Sequence, residues 1–384
     1  MIPGWKDRDA LRAALMSWFV ASRRDLPWRS RESLYGIWVA EIMLQQTTVE
    51  AVVPFYQRFL ARFPDVQTLA RSSVDEVMAL WSGLGYYRRA AMLHRAAGII
   101  VAERGGRFPA SSREWHQLPG VGDYASGAIA SLGLGERVPA VDANARRVLL
   151  RWLCATGACA AAVGKARLKE WAEDIVDPDA PGDWNEAVME LGALVCRARH
   201  PKCADCPVSR WCRAAESADP STIPPLAAPP DRVRVTLAQL LITDGVKVLL
   251  MPPGATPAVP APRGFAVARE DFSGLFRGMC GLPSTPWLHA STDQVLAPGE
   301  IWSDFLPLVH GILAPGHIDF AGSCRHAVTR FDLQIQVHRI LVDSACLTRG
   351  RTWPPGWRVA GLSAPGVPIS RLTTKVLGIA RTEG

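Results

Sequence analysis

Residues 118–148 read LPGVGDYASGAIASLGLGERVPAVDANARRV, and the rest of the chain is read outward from them. Gly120 and Gly122 fall in a turn between two helical segments. Without a Cβ, the backbone there can bend tightly and come close to another molecule. The N–H groups at the start of the next helix can cradle a phosphate, helped by the helix dipole. The stretch closes on Asp142, in VDAN, just before an apolar, basic helix at 145–153. A hairpin that grips phosphate and holds a carboxylate beside it suits chemistry on a DNA sugar. An ordinary helix–turn–helix corner with a solvated aspartate fits the same residues.

Upstream, residues 7–22 show helical periodicity, with Leu11, Leu15, Trp18 and Phe19 on one face. Pro27 stops that pattern within RRDLPWR, where Arg24, Leu26, Trp28 and Arg29 alternate planar and charged groups. Such a segment can line a pocket for a flat base, or Leu26 and Trp28 can be plain core. Residues 35–50, YGIWVAEIMLQQTTVE, read as one apolar helix with Glu41 embedded among Trp38, Val39, Ile42, Met43 and Leu44. A carboxyl in apolar surroundings has its pKa raised, because desolvation disfavours the charge. That prepares a general acid for neutral pH; the competing placement is on the polar edge of the helix. Residues 52–104 continue as helices with short turns. They are interrupted by WSGLGYYRRA at 81–90, a glycine-flexed tip whose tyrosines could wedge into a base stack. A connecting loop with a buried tyrosine is the alternative.

Downstream, residues 165–176 and 184–197 read as helices. The second, starting WNEAVMEL, again carries carboxylates into an apolar pattern. Cys196, Cys203, Cys206 and Cys212 follow with the spacing C-x6-C-x2-C-x5-C. Four thiolates in one loop-rich segment match the ligands of a [4Fe–4S] cluster; the gaps differ from the paired knuckles of common zinc sites. Arg197, Arg199, His200, Lys202, Arg210 and Arg213 surround them. Such a loop would hold phosphates rather than turn over substrate. Cys154, Cys159, Cys280, Cys324 and Cys346 are scattered and read as buried hydrophobes. A Pro/Ala-rich linker at 218–230 then separates a second domain, 231–384, of α+β type. Its opening VRVTLAQLLIT-DG-VKVLLM, 233–251, is a hairpin signal, and further strand-like runs are 305–313 and 333–342.

The chain has 384 residues and a net charge of +7, spread as +4 over residues 1–217 and +3 over 218–384. A DNA-binding face must therefore come from clustering in space. No apolar run is long enough to span a bilayer. No secretory signal is visible, so a cytoplasmic protein with reduced cysteines is expected.

Taken together, RRDLPWR, WVAEIMLQQT, WSGLGYYRRA, LPGVGDYASGAIAS, VDANARRVL, WNEAVMELGALVC and the four cysteines resemble, in the same order, the MutY-type adenine glycosylases. These are helix–hairpin–helix DNA glycosylases with an iron–sulfur cluster. The resemblance implies an all-α domain over 1–217, with the helix–hairpin–helix part at about 30–135 and the cluster loop at 196–212. It implies a Nudix-like domain over 231–384, where FSGLFRGMCGLPS (272–284) and ISRLTTKVL (369–377) look like landmarks. No glutamate-rich Nudix box is present, so pyrophosphohydrolysis is not expected. The implied partner is duplex DNA with adenine opposite 8-oxoguanine or guanine, bound by a monomer. By the same resemblance Glu41 protonates adenine N7 and Asp142 stabilises the sugar cation. Tyr124 hydrogen-bonds near Asp142, and Asn144 and Glu186 order the site and its water. Arg24, Leu26, Trp28, Arg29 and Leu44 form the adenine pocket; Gln46 and Tyr86 fill and wedge the stack. Tyr124 stands where related lyases carry a Schiff-base lysine, implying a monofunctional enzyme.

Two positions depart from the pattern. Ala143 replaces the usual glycine after the aspartate, as in a thymine-removing branch of the same fold. In the loop 326–330, His326, Thr329 and Arg330 stand near the place of a Phe-Ser-His reader, with Val328 lacking the aromatic ring. A thymine or other mismatch glycosylase, and a non-catalytic lesion-binding protein, remain the alternative readings.

Overall fold

A computed structural model describes residues 7–30, 33–217, 219–225, 231–252, 279–286, 288–289, 301–302, 318–328, 331–348, 356–363, 367 and 369–379. The chain divides into two compact units. One comprises residues 1–71 and 92–228, the other 72–91 and 229–384.

The first unit is helical. Its elements are α1 (Arg8–Ser22), α2 (Leu34–Leu44), α3 (Val49–Arg62) and α4 (Val66–Arg71). After α5 (Val74–Trp81), which belongs to the other unit, come α6 (Arg88–Arg104), α7 (Ser112–Trp115), α8 (Asp123–Leu134) and α9 (Ala143–Leu153). The series ends with α10 (Gly157–Ala162), α11 (Lys165–Ile175) and α12 (Pro181–Leu194). Every residue of α2 from Tyr35 to Met43 is buried. A helix that is apolar all round has to be a central one, and Trp38 packs against Trp115 at 5.6 Å between ring centroids. Ser33 caps it, its side chain accepting from Gly36 N. The helix read at 35–50 stops at Leu44, and α3 begins at Val49. Gln46 adopts φ +59° in the break, a backbone state that cannot continue an α-helix.

A second core joins α1, α9, α11 and α12 through Leu11, Leu15, Phe19, Leu149, Trp152, Leu168, Trp184 and Leu191. Burial of the apolar faces of α1 and α9 is the driving force here, at about 25 cal/mol per Å² removed from water. Part of the expected linker joins this core. Ile223 is fully buried in it, and its carbonyl accepts from Arg151 Nε at 2.7 Å.

The second unit is built on a mixed sheet in the order β4-β5-β1-β2-β6, with β3 also pairing with β1. The strands are β1 (Val233–Thr243), β2 (Lys247–Leu250), β3 (Leu288–His289), β4 (Ile318–Val328), β5 (Phe331–Leu341) and β6 (Arg358–Gly361). The expected hairpin forms as β1–β2, with Thr243 opposite Val248. Gly245 at φ +89° makes the turn, and Asp244 Oδ1 accepts from Val246 N and Lys247 N. The expected strand at 333–342 is β5, parallel to β1 along its whole length. The run 305–313 lies outside the described residues. Strand β4 was not anticipated: its Gly, Ser, Cys and Arg mask the alternation, and pairing with β5 supplies what propensity lacks. One face of the sheet buries Val235, Leu237, Leu333 and Ile335 against α14 (Arg371–Ile379). The other buries Leu240, Ile242, Trp302 and Ile340 with Leu347 of α13 (Ser344–Thr348).

Candidate active site

A cleft of about 1020 Å³ lies in the helical unit. Arg24, Leu26, Trp28, Arg29, Glu41, Leu44, Gln46, Gly120, Gly122, Tyr124, Asp142, Asn144 and Glu186 all border it. Residues spread over more than 160 positions of sequence are thus brought to one concavity.

Glu41 is 4% exposed. Burial raises its carboxyl to about 7, against the opposing effect of a hydrogen bond from Tyr124; the charges of Glu186 and Asp142 add to the rise. The Tyr124 hydroxyl donates to Glu41 Oε2 at 2.7 Å. Its hydrogen-bond partner is Glu41, which borders the same cleft as Asp142. Tyr124 sits in the first turn of α8, and its own pKa is pushed far up by burial and by the neighbouring carboxylates Glu41 and Asp142.

Asp142 is the N-cap of α9. Its Oδ1 accepts from Ala145 N at 2.6 Å and its Oδ2 from Asn144 Nδ2 at 3.0 Å. The aspartate thus closes the helix end and is held rigidly at the cleft. Burial raises its pKa, while the bonds from Ala145 and Asn144 and the charge of Arg147 pull it back. Arg147 Nη2 donates to Asn144 Oδ1 at 2.9 Å, and its Nε to the Cys196 carbonyl at 2.8 Å. A Cβ on Gly192 would stand 2.7 Å from Asn144 Cβ, so α12 approaches α9 closely only because that position is glycine.

The hairpin turn is shaped by Gly120 at φ +82°, with Val121 N bonding to Leu118 O at 3.2 Å. Gly122 caps α8. Gln45 Nε2 donates to Gly120 O at 3.3 Å, tying the end of α2 to the hairpin.

The opposite side of the chemistry is ionic. Arg24 Nε and Nη2 bond to the two Glu190 oxygens, both at 2.8 Å. Arg29 Nη2 reaches Glu190 Oε2 at 3.0 Å, and its Nε reaches Glu186 Oε1 at 3.0 Å. Arg24 Nη1 also lies 3.6 Å from Glu50 Oε1, so Arg24 and Arg29 border the cleft as members of a network with three carboxylates. Trp28 and Leu26 are buried, and Trp28 packs edge-on to Tyr56 at 5.3 Å. Glu190, Met189, Gln45 and Arg147 were not singled out from sequence. Glu190 follows Glu186 by one helical turn, and that i, i+4 spacing was the available signal.

Other expected site residues lie elsewhere. Tyr86, in the second unit, has φ +50° and is 52% exposed, whereas Tyr87 is buried. The Arg89 guanidinium lies 5.3 Å from the Tyr86 ring and 5.5 Å from that of Trp81. His326 belongs to strand β4, opposite Leu333, rather than to a loop. Thr329 and Arg330 lie outside the described residues. Cys196, Cys203, Cys206 and Cys212 border one small cavity with Arg151. Arg151 Nη1 donates to Cys196 Sγ at 3.3 Å, and Cys212 Sγ donates to the Arg151 carbonyl at 3.3 Å. Burial pushes the Cys206 thiol up to about 12 and that of Cys212 to about 11. Among the described residues no three His, Cys, Asp or Glu side chains are placed to share a single metal ion. Of the scattered cysteines, Cys154 and Cys280 are buried as expected, Cys324 is half-buried, and Cys159 is exposed.

Residues 39–174 match the family described as HhH-GPD superfamily base excision DNA repair protein. An adenine DNA glycosylase of Mus musculus is 34% identical over 391 residues, covering 92% of this chain and 74% of that protein. One of Homo sapiens is 32% identical over 394 residues, covering 91% and 70%. The solved structure of a thermostable thymine-DNA glycosylase is 29% identical with a TM-score of 0.51, covering 55% of this chain and 97% of that one. With helices, hairpin and carboxylates in this arrangement, and with two such relatives matching through both units, the chain belongs to the adenine DNA glycosylases of the HhH-GPD superfamily.

Proposed function

We propose that this protein removes adenine mispaired with 8-oxoguanine or guanine in duplex DNA, by hydrolysis of the N-glycosidic bond after the base is flipped out of the stack. The observation that carries this reading is the pair of carboxyls on one cleft: Glu41, raised to about 7 by burial, and Asp142, held by Ala145 N and Asn144. The Tyr124 hydroxyl occupies Glu41 Oε2, which leaves Oε1 to carry the proton. Glu41 delivers that proton to adenine N7, and the base leaves neutral. Asp142 stabilises the positive charge that develops on the sugar. Asn144 and Glu186 order the attacking water. Tyr124 offers no amine, so no Schiff base forms and the strand stays intact. Gly120 and Gly122 let the hairpin amides grip a phosphate. Gln46 and Tyr86 act on the opened stack, and His326, Thr329 and Arg330 act in reading the base opposite.

The four cysteines hold a [4Fe–4S] cluster in this reading. Their thiols border one small cavity, and four cysteines in one loop are the ligand set such a cluster takes. When bound, the cluster fixes the basic loop against phosphates. Iron and acid-labile sulfide analysis of the purified protein checks it.

The test of the activity is a single-turnover assay on duplexes with A opposite 8-oxoguanine, A opposite guanine and T opposite guanine, followed by alkali. Strand breaks only after alkali, fastest for A opposite 8-oxoguanine, are expected. Equal rates opposite guanine would keep the chemistry and remove the lesion reading. The likeness to a thymine-DNA glycosylase over 55% of this chain makes the T lane the second reading: release of thymine without adenine would overturn the first.

A further inference from the structure

We infer that Glu190 is a positioning residue for base excision, orienting Arg24 and Arg29 against the base and cancelling their charge where the reaction builds a cation. The inference rests on the reading of the cleft as an adenine pocket. Glu190 borders that cleft and is 2% exposed. It accepts from Arg24 N at 3.1 Å, from Arg24 Nε and Nη2 at 2.8 Å, and from Arg29 Nη2 at 3.0 Å. Arg29 Nη1 in turn donates to the Arg24 carbonyl at 2.7 Å. A two-pronged bond from one guanidinium fixes the plane of that group, so each N–H left on Arg24 has a set direction. The same carboxylate pins Arg29 from the other side.

Charge gives the second half of the argument. Two guanidiniums face two buried carboxylates, Glu186 and Glu190, so the buried part of this wall is neutral; the exposed Glu50 lies 3.6 Å from Arg24 Nη1 at its solvent side. Protonation of adenine and loss of the base both build positive charge beside it. Without Glu190 the buried part of the wall would carry a surplus cation, which the exposed Glu50 screens only from the solvent side of Arg24, and like charges repel strongly where water is scarce. Ground-state binding of a neutral adenine depends on this far less than does the transition state. Glu190 therefore acts on the excision rate and leaves duplex affinity nearly alone.

The experiment compares the full-length wild type, E190Q and E190D. Single-turnover release of adenine opposite 8-oxoguanine is measured with enzyme in excess. Affinity is measured by fluorescence anisotropy on a duplex with 2′-fluoro-2′-deoxyadenosine, whose glycosidic bond resists cleavage. The expected result is a rate about 100-fold lower for E190Q, as misplaced groups typically give, with duplex affinity unchanged and partial rescue in E190D, which keeps the anion. An E190Q rate equal to wild type overturns the inference. So does a loss of affinity and thermal stability in step with the rate, in both variants, which would mark Glu190 as structural only. If E190Q does not fold, R24K breaks the two-pronged bond from the other partner and is held to the same split between rate and affinity. A wild type that releases no adenine would sink the pocket reading itself, a different outcome from an active wild type with an unaffected E190Q.

Discussion

Glu41 on α2 and Glu190 on α12 are the same side chain at nearly the same burial, 4% and 2% exposed, on one cleft. Burial raises Glu41 to about 7. Burial also works to raise Glu190, yet the bonds from Arg24 and Arg29, and the charge of Arg29, outweigh it and hold the group at about 2. The difference lies in the partners. Glu41 has one neutral hydroxyl and two like charges for company; Glu190 has two guanidiniums. Desolvation is therefore a common background, and the neighbours decide which carboxyl keeps its proton. An acid and a permanent anion are made from identical residues by placing one in an apolar helix and the other one turn beyond a second glutamate.

The sharpest way to break this comparison is Glu41→Gln. It removes the proton donor without adding charge, and adenine release is expected to fall by about 10²- to 10⁴-fold. In the wild type the rate should fall in acid as Asp142 becomes protonated and decline about tenfold per unit as pH rises through about 7, because the protonated form of Glu41 acts. The variant's residual rate should lose that limb. A wild-type alkaline limb that begins below pH 5 would mean Glu41 is not buried as described. Asp142→Asn comes next, with a loss of about 10²- to 10³-fold, the usual cost of removing electrostatic stabilisation. Asparagine still caps α9, so circular dichroism should be unchanged; a melted helix would make the rate loss uninformative about charge.

Tyr124→Phe sharpens the comparison by removing the bond that lowers Glu41. The alkaline limb should move upward by about one to two units, since a hydrogen bond to a charged group is worth about 1.5–3 kcal/mol. A downward move would reverse the assignment of donor and acceptor. The smallest effect concerns stability. A raised carboxyl such as Glu41 favours folding below its unfolded pKa, and that contribution is lost as pH rises through about 7. Glu190 does the opposite: its contribution is present above its unfolded pKa and lost as pH falls towards about 2. Thermal unfolding against pH should therefore gain slightly for E41Q near neutrality and flatten for E190Q in acid.

Much of the site was legible because its chemistry is written in local patterns. Glu41 stands in an unbroken apolar run, and Asp142 stands where a helix must start, so burial and capping follow from residues within a few positions. Gly120 and Gly122 announced a turn for the same reason. The break after Leu44 was not legible, because Gln45 to Thr48 carry no glycine or proline and only packing ends α2. Strand β4 escaped for a related reason, since a strand paired with β5 over its whole length needs little propensity of its own. The acceptor of the Tyr124 hydroxyl, Glu41, was not legible because a hydroxyl's choice between two nearby carboxyls depends on ångström-scale placement.

The sequence by itself determined which segments are apolar helices, where they are capped or turned, and which residue types could donate a proton, carry a charge or hold sulfur ligands. These depend on short-range backbone preferences and on periodicity. Only the tertiary structure decided that Glu190 would neutralise Arg24 and Arg29, that Tyr124 would bond Glu41, and that Arg147 would link Asn144 to the first cysteine of the loop. Those contacts join residues from different helices, and their energies depend on distance and local water, neither of which is encoded in spacing along the chain.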